Sequence, residues 1–128
     1  MRDIDTLQKI LVIDDEYNLC TLLRFHLQME GFKVFTAHNA ADGVEAAKTN
    51  LPDLILLDVK MPDADGIQVC KILKRTRKTR HIPIFMITGL SQMGVMEDAF
   101  KAGASDYISK PFDVTTIVEV VTEKFLKL

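Results

Sequence analysis

Five times along its 128 residues this chain sets a short apolar run ahead of a stretch with helical periodicity. No other feature constrains its fold as tightly. The expected strands are Lys9–Asp14, Lys33–Ala37, Asp53–Asp58, Ile84–Thr88 and Asp106–Ser109. Several are continuous in Ile, Leu and Val, as strands covered on both faces should be. Helices are expected over 16–30, 40–49, 66–78, 91–102 and 113–127. The last of these, "VTTIVEVVTEKFLKL", is rich in β-branched residues that favour strands. Its periodicity nevertheless reads as helix, because Val114, Ile117, Val118, Val121, Phe125 and Leu128 line one face. Asp113 stands where an N-cap belongs, and Gly31 and Gly103 stand where the first and fourth helices should stop. Strict alternation of this kind means parallel strands joined by right-handed crossovers, with helices on both faces of the sheet. The fold class is α/β, doubly wound. In such sheets function gathers at the carboxyl ends of the strands, near the point where strand order reverses.

The length suits one domain with a proper core. A formal charge of −2 argues against a general nucleic-acid binder, so no direct nucleic-acid contact is expected. Cys20 and Cys70 are widely separated, without metal-ligand spacing, and read as buried apolar residues in a reducing compartment. No apolar run approaches the length of a membrane span, so no membrane insertion is expected. The opening "MRDIDTLQ" lacks the basic-then-apolar order of a secretory signal. A cytoplasmic location is expected.

The stretch "KILVIDDEYN" poses the functional question. Its apolar run ends abruptly in Asp14, Asp15 and Glu16. The third strand ends in Asp58, the fourth in Thr88, and the fifth runs into Lys110-Pro111. Each has an ordinary explanation when taken alone. Asp14 or Asp15 could cap the first helix, Asp58 could be a turn residue, and Lys110 could be a solvated charge. Convergence on one rim weighs against all of these together. Two carboxylates about 4 Å apart repel by roughly 4 kcal/mol at an effective dielectric near 20. Converging acids would raise each other's pKa unless a cation joins them. A helix cap does not need three acids, whereas Mg²⁺ takes oxygen ligands and shares its shell with phosphate oxygens.

Asp58 emerges from the central apolar run Leu54–Leu57, which makes it the best placed to act as nucleophile. A carboxylate oxygen can attack phosphorus to give an aspartyl phosphate. Such a transfer depends on positioning and on neutralising the equatorial oxygens. The metal, the Lys110 ammonium and the Thr88 hydroxyl, or nearby backbone N–H groups, would serve those three oxygens.

In order along the chain, "LVIDDE", "LILLDVKMPDADG", "FMITG" and "GASDYISKPF" resemble the receiver domain of bacterial two-component response regulators. The resemblance covers about Lys9 to Leu126, with 1–8 as an N-terminal tail and 9–128 as the receiver domain. It implies a flavodoxin-like, five-stranded parallel sheet of order 2-1-3-4-5 with five helices. It also implies a phosphoryl group received on Asp58 from a sensor histidine kinase or a histidine phosphotransfer protein. Position by position, Asp15, Asp58 and the backbone carbonyl of Lys60 would bind Mg²⁺, and Asp14 would hold it through water. Thr88 and Lys110 would contact the phosphoryl group, and Thr88 and Tyr107 would act as the switch pair. Lys110-Pro111 matches a cis peptide, against an ordinary trans turn. Tyr107 could equally be a half-buried edge tyrosine with its hydroxyl in water. Lys60 and Leu90 occupy the two positions that influence phosphoryl lifetime. Neither can easily orient an attacking water, so a slowly lost phosphoryl group is expected. A downstream protein target would dock on the face of helix four, strand five and helix five.

Other signals carry less. "DADG" fails as a calcium loop because the flanking ligand positions are Met61 and Ile72. "GLSQMG" continues with Val95 where a phosphate loop needs lysine. His26, His38 and His81 read as structural or surface residues. The tract Lys71, Lys74, Arg75, Arg77, Lys78 and Arg80 reads as a solvated helix face, with an acidic partner as the alternative. Val120 and Leu126 fall off the buried stripe of the last helix and are candidates for docking. Three rivals stand beside the switch. The first is a receiver cut from a longer transcription factor, hybrid kinase or nucleotide cyclase. The second is a haloacid-dehalogenase-like phosphatase, which would carry D-x-D where this chain has Asp58-Val59-Lys60. The third is a degenerate receiver acting as a binding module, against which the complete acid set argues.

Overall fold

A computed structural model describes residues 7–89, 93–109 and 113–126. The strands are β1 (Lys9–Ile13), β2 (Lys33–Ala37), β3 (Leu54–Asp58), β4 (Ile84–Thr88) and β5 (Asp106–Ser109). They alternate with the helices α1 (Tyr17–Met29), α2 (Ala40–Asn50), α3 (Gly66–Arg75), α4 (Met93–Lys101) and α5 (Val114–Leu126). All pairings are parallel, in the expected order β2-β1-β3-β4-β5. Order reverses at β1, with β2 on one side and β3 on the other, so the carboxyl ends of β1 and β3 border the crevice where ligands bind in such sheets.

The apolar runs of the central strands divide by parity between two cores, because successive side chains point to opposite faces. Leu11, Ile13, Ile55, Leu57, Ile84 and Met86 pack in the core shared with α2, α3 and α4. Ile10, Val12, Leu54, Leu56, Phe85 and Ile87 pack in the one shared with α1 and α5. The expected stripe of α5 holds: Ile117 and Val121 are buried, and Val114, Val118 and Phe125 lie against the same core. Val120 joins them. It is half-buried, not the isolated exposed apolar residue its position off the stripe suggested. The side chain of Leu126 lies outside the described residues. Cys20 and Cys70 are buried free thiols, and burial pushes the Cys70 thiol up to about 11.

The expected stop signals are used. Gly31 and Gly103 have φ of 95° and 108°, a conformation that costs other residues steric strain. Asp113 caps α5, accepting from the Thr115 amide at 3.1 Å. Helix α3 ends three residues before the expected 78, because Thr76 turns extended at ψ 126°. Hydroxyl donors complete that end: Thr76 donates to the Ile72 carbonyl and Thr79 to that of Leu73, both at 2.7 Å. Arg77 and Lys78 therefore join Arg80 outside the helix. Lys74 is not a solvated charge either. Its ammonium donates to the carbonyls of Arg80 at 3.2 Å and Ile82 at 2.5 Å, and partial burial lowers its pKa. Among the described residues, no helix is long and apolar enough to cross a membrane.

Candidate functional site

Strand β1 carries its apolar run to Ile13, and the chain then turns into α1. Asp14 is fully buried at that turn, while Asp15 is exposed. The β1–β3 register pairs Ile13 with Leu57, which sets Asp14 and Asp58 at equivalent levels on adjacent strands. Asp58 is only 4% exposed. Carboxylate oxygens of Asp14, Asp15 and Asp58 all lie within 4.8 Å of one another. Asp15, Glu16, Asp58, Lys60, Met61, Pro62, Thr88 and Gly89 line an open pocket of about 610 Å³ at this rim.

The capping explanation for the first two acids does not hold. The N-cap of α1 is Glu16, whose side chain makes no cap hydrogen bond. Asp14 instead turns its carboxylate onto the Glu16 amide at 2.9 Å, within its own turn. The backbone of Asp14 is fixed separately, its amide donating to the Ala37 carbonyl at 3.0 Å. The Asp58 carboxylate accepts from the Lys60 amide at 3.3 Å. Three hard oxygen donors within one radius of this size suit a divalent cation such as Mg²⁺.

The loop after Asp58 is held tightly. The Gly66 amide donates to the Val59 carbonyl at 2.6 Å, and an isolated antiparallel bridge joins Lys60 to Asp65. Asp65 caps α3 through the Ile67 amide at 2.9 Å. A Cβ on Gly66 would collide with the carbonyl oxygen of Asp58 and come within 2.7 Å of the Val59 Cα. Glycine is required there for close approach.

Two neighbours escaped the sequence reading. His38 stacks on Tyr17, with ring centroids 3.7 Å apart, and its Nδ1 lies 3.1 Å from the Asp14 carbonyl. A carbonyl can only accept, so Nδ1 carries the proton. His38 is thus tied to the site's edge, the structural alternative of the two expected for it. The second is Asp63, whose carboxylate accepts from the amides of Ala40 at 2.8 Å and Ala41 at 3.1 Å. The sequence signal was present in "DADG", but only the fold brings the start of α2 within its reach.

The family model for the response regulator receiver domain matches residues 10–122. The chain belongs to the response regulator receiver domain family. This receiver is 41% identical over 106 residues to the DNA-binding dual master transcriptional regulator RpaA of Synechocystis sp., covering 83% of this chain and 44% of RpaA. It is 43% identical over 105 residues to the response regulator PleD of Caulobacter vibrioides, covering 82% of this chain and 23% of PleD. The chain spans less than half the length of these curated relatives. Among solved structures it is similar to a CheY-like receiver domain protein of Methanospirillum hungatei, with 27% identity and a TM-score of 0.88. That match covers 95% of this chain and 96% of the other. The phosphatase alternative has no support from these matches.

In this receiver Thr88, 1% exposed, closes β4 beside the acids. Tyr107 pairs with Met86 on β5, and its ring packs against the α2–α4 core. The hydroxyl of Tyr107 is buried with no hydrogen-bond partner among the described residues, so it is not the water-exposed edge tyrosine of the ordinary reading. Withdrawal from water raises its pKa. Leu90, Lys110 and Pro111, with the cis peptide expected at the last two, lie outside the described residues. Docking was expected near Val120 and Leu126. Large apolar side chains are exposed at Tyr17, Leu22, Phe25 and Met29 on α1, at Leu51 and Ile72, and at Phe100 on α4, which belongs to the expected docking face.

Proposed function

We propose that this receiver is a phosphorylation-activated signalling switch and that Asp58 is its phosphoacceptor. The observation that carries the reading is the convergence of three carboxylates, two of them buried, at one rim of the sheet. Asp15, Asp58 and the Lys60 carbonyl would hold Mg²⁺ directly, with Asp14 acting through water. When bound, the ion neutralises one equatorial oxygen of the incoming phosphoryl group.

Asp58 is the nucleophile. Its carboxylate oxygen forms the new bond to phosphorus as the P–N bond of a phosphohistidine breaks, and the electron pair leaves on the imidazole nitrogen. Thr88 and Lys110 bind the remaining phosphoryl oxygens through a hydroxyl and an ammonium. The modified form shifts an equilibrium between two conformations, with Thr88 and Tyr107 as the reporting pair. A sensor histidine kinase or histidine phosphotransfer protein supplies the phosphoryl group in the cytoplasm. A downstream protein reads the α4–β5–α5 face. The chain takes part in its own phosphorylation and dephosphorylation without turning over a substrate of its own. Lys60 and Leu90 offer no acid or amide to orient a hydrolytic water, so the aspartyl phosphate is lost slowly.

The test is incubation with acetyl phosphate and Mg²⁺, followed by intact mass. A gain of one phosphoryl group on the wild type and none on Asp58→Asn is expected, with a label that is base-labile. Equal labelling of both proteins, or sustained turnover of phosphate monoesters, would overturn the reading. Rapid decay of the label in the purified protein would overturn the lifetime assignment alone.

A further inference from the structure

We infer that Asp63 is a positioning residue for metal binding and phosphoryl transfer at Asp58, acting through the loop that carries Lys60. The inference rests on the function proposed above. The first amides of a helix have no intrahelical partner. In α2 they are divided between two side chains. Asn39, the helix's own N-cap, accepts from the Asp42 amide at 2.8 Å. Asp63, more than twenty residues further along, takes the amides of Ala40 and Ala41, one on each carboxylate oxygen.

This clasp completes a ring of contacts around the acids. From Asp14 the path runs through its carbonyl to His38, two residues along the chain to Ala40, across to Asp63, and back along the loop to Lys60 and Asp58. The loop's other described hydrogen bonds tie it to itself, to Asp58 at the end of β3, or to α3. Among the loop's described hydrogen bonds, those of Asp63 reach the β1–β2 side of the crevice, beside the packing of Met61 and Ala64 against the core that holds Ile13 and Ala40. The β1–β3 register sets Asp14 level with Asp58, and the clasp adds a second restraint on the separation between Asp14 and the Lys60 backbone. The two amides also hold the Asp63 carboxyl below the ordinary carboxylate range, so it is the charged form that makes the contact.

A merely stabilising carboxylate provides the control. Asp53 accepts from the Lys9 amide at 2.7 Å, at the amino end of the sheet and away from the site. In the full chain, Asp63→Ala, Asp63→Asn and Asp53→Ala are compared by urea midpoint, Mg²⁺ dissociation constant and labelling rate with acetyl phosphate at saturating Mg²⁺. Loss of a contact that orients metal ligands typically weakens a site by an order of magnitude, so Asp63→Ala should weaken Mg²⁺ by about tenfold and slow labelling. Asp63→Asn keeps one acceptor oxygen and should fall between it and the wild type. Asp53→Ala should lower the urea midpoint and leave both other readouts unchanged. Unchanged Mg²⁺ affinity in Asp63→Ala, or equal losses in Asp53→Ala, overturns the inference. Should Asp63→Ala fail to fold, Asp63→Asn decides on the same two criteria. A wild type that neither binds Mg²⁺ nor accepts label overturns the proposed function and the inference together. Wild-type chemistry indifferent to Asp63 overturns the inference alone.

Discussion

Tyr107 pairs with Met86 across the β4–β5 ladder, and its hydroxyl is buried with no hydrogen-bond partner among the described residues. A phenol hidden from water without a partner forfeits its hydration and gains nothing in return. Among the described residues, Tyr107, the proposed switch residue, is therefore held where its one polar atom is disfavoured.

Tyr107→Phe removes the disfavoured atom and keeps the ring. The unphosphorylated protein should gain about 1 kcal/mol, the low end of the cost of an orphaned polar group. Thermal unfolding followed by circular dichroism should show a midpoint raised by a few degrees. A lowered midpoint would mean that the hydroxyl has a partner.

Mg²⁺ should stabilise the wild type by mass action, reaching about 2.7 kcal/mol at an ion concentration near 100 times the dissociation constant. Asp58→Asn removes one anionic ligand and should lose most of that gain. The measurement is the shift in unfolding midpoint on adding MgCl₂, with added KCl at matched ionic strength as the control.

Gly66→Ala should destabilise by about 2 kcal/mol, because a Cβ there meets backbone instead of the end of a flexible side chain. Since that backbone belongs to Asp58 and Val59, phosphoryl labelling should slow as well. A variant as stable and as quickly labelled as the wild type would show that the loop gives way freely.

Acid should act through Asp63 and Asp113. Both carboxyls lie below their ordinary value of 3.8, Asp63 through the amides of Ala40 and Ala41. For Asp113 the Thr115 side chain and amide are responsible. A carboxyl with a lower pKa in the folded state stabilises at pH above its unfolded value, and that contribution fades as pH falls through the folded value. Asp63→Ala and Asp113→Ala should therefore lower the urea midpoint at about pH 7, and their difference from the wild type should shrink as pH falls below the ordinary carboxyl value. Equal losses across that range would point to packing as the cause.

Periodicity and end signals made most of the architecture legible. Short continuous apolar runs located the strands, and a one-sided stripe identified α5 as helix despite its valines and threonines. These signals are local, since they report which face of a segment avoids water. The helix ends were less legible where side-chain hydrogen bonds joined the helix to the segment beyond it. Thr79 and Lys74 close the end of α3 with hydrogen bonds that no spacing rule anticipates. Val120 was misjudged because a helical wheel assigns burial by angle, whereas the groove beside β4 and β5 admits part of a neighbouring face.

The order of residues alone determined that acids would stand at the carboxyl ends of β1 and β3, because strand ends follow from where apolar runs stop. It could not determine what meets those acids from the side. Asp63 reaches α2, and His38 reaches Asp14, only because parallel crossovers fold distant loops onto one rim. Hydrogen bonds of that kind depend on distances across the sheet, which no local pattern of hydrophobicity encodes.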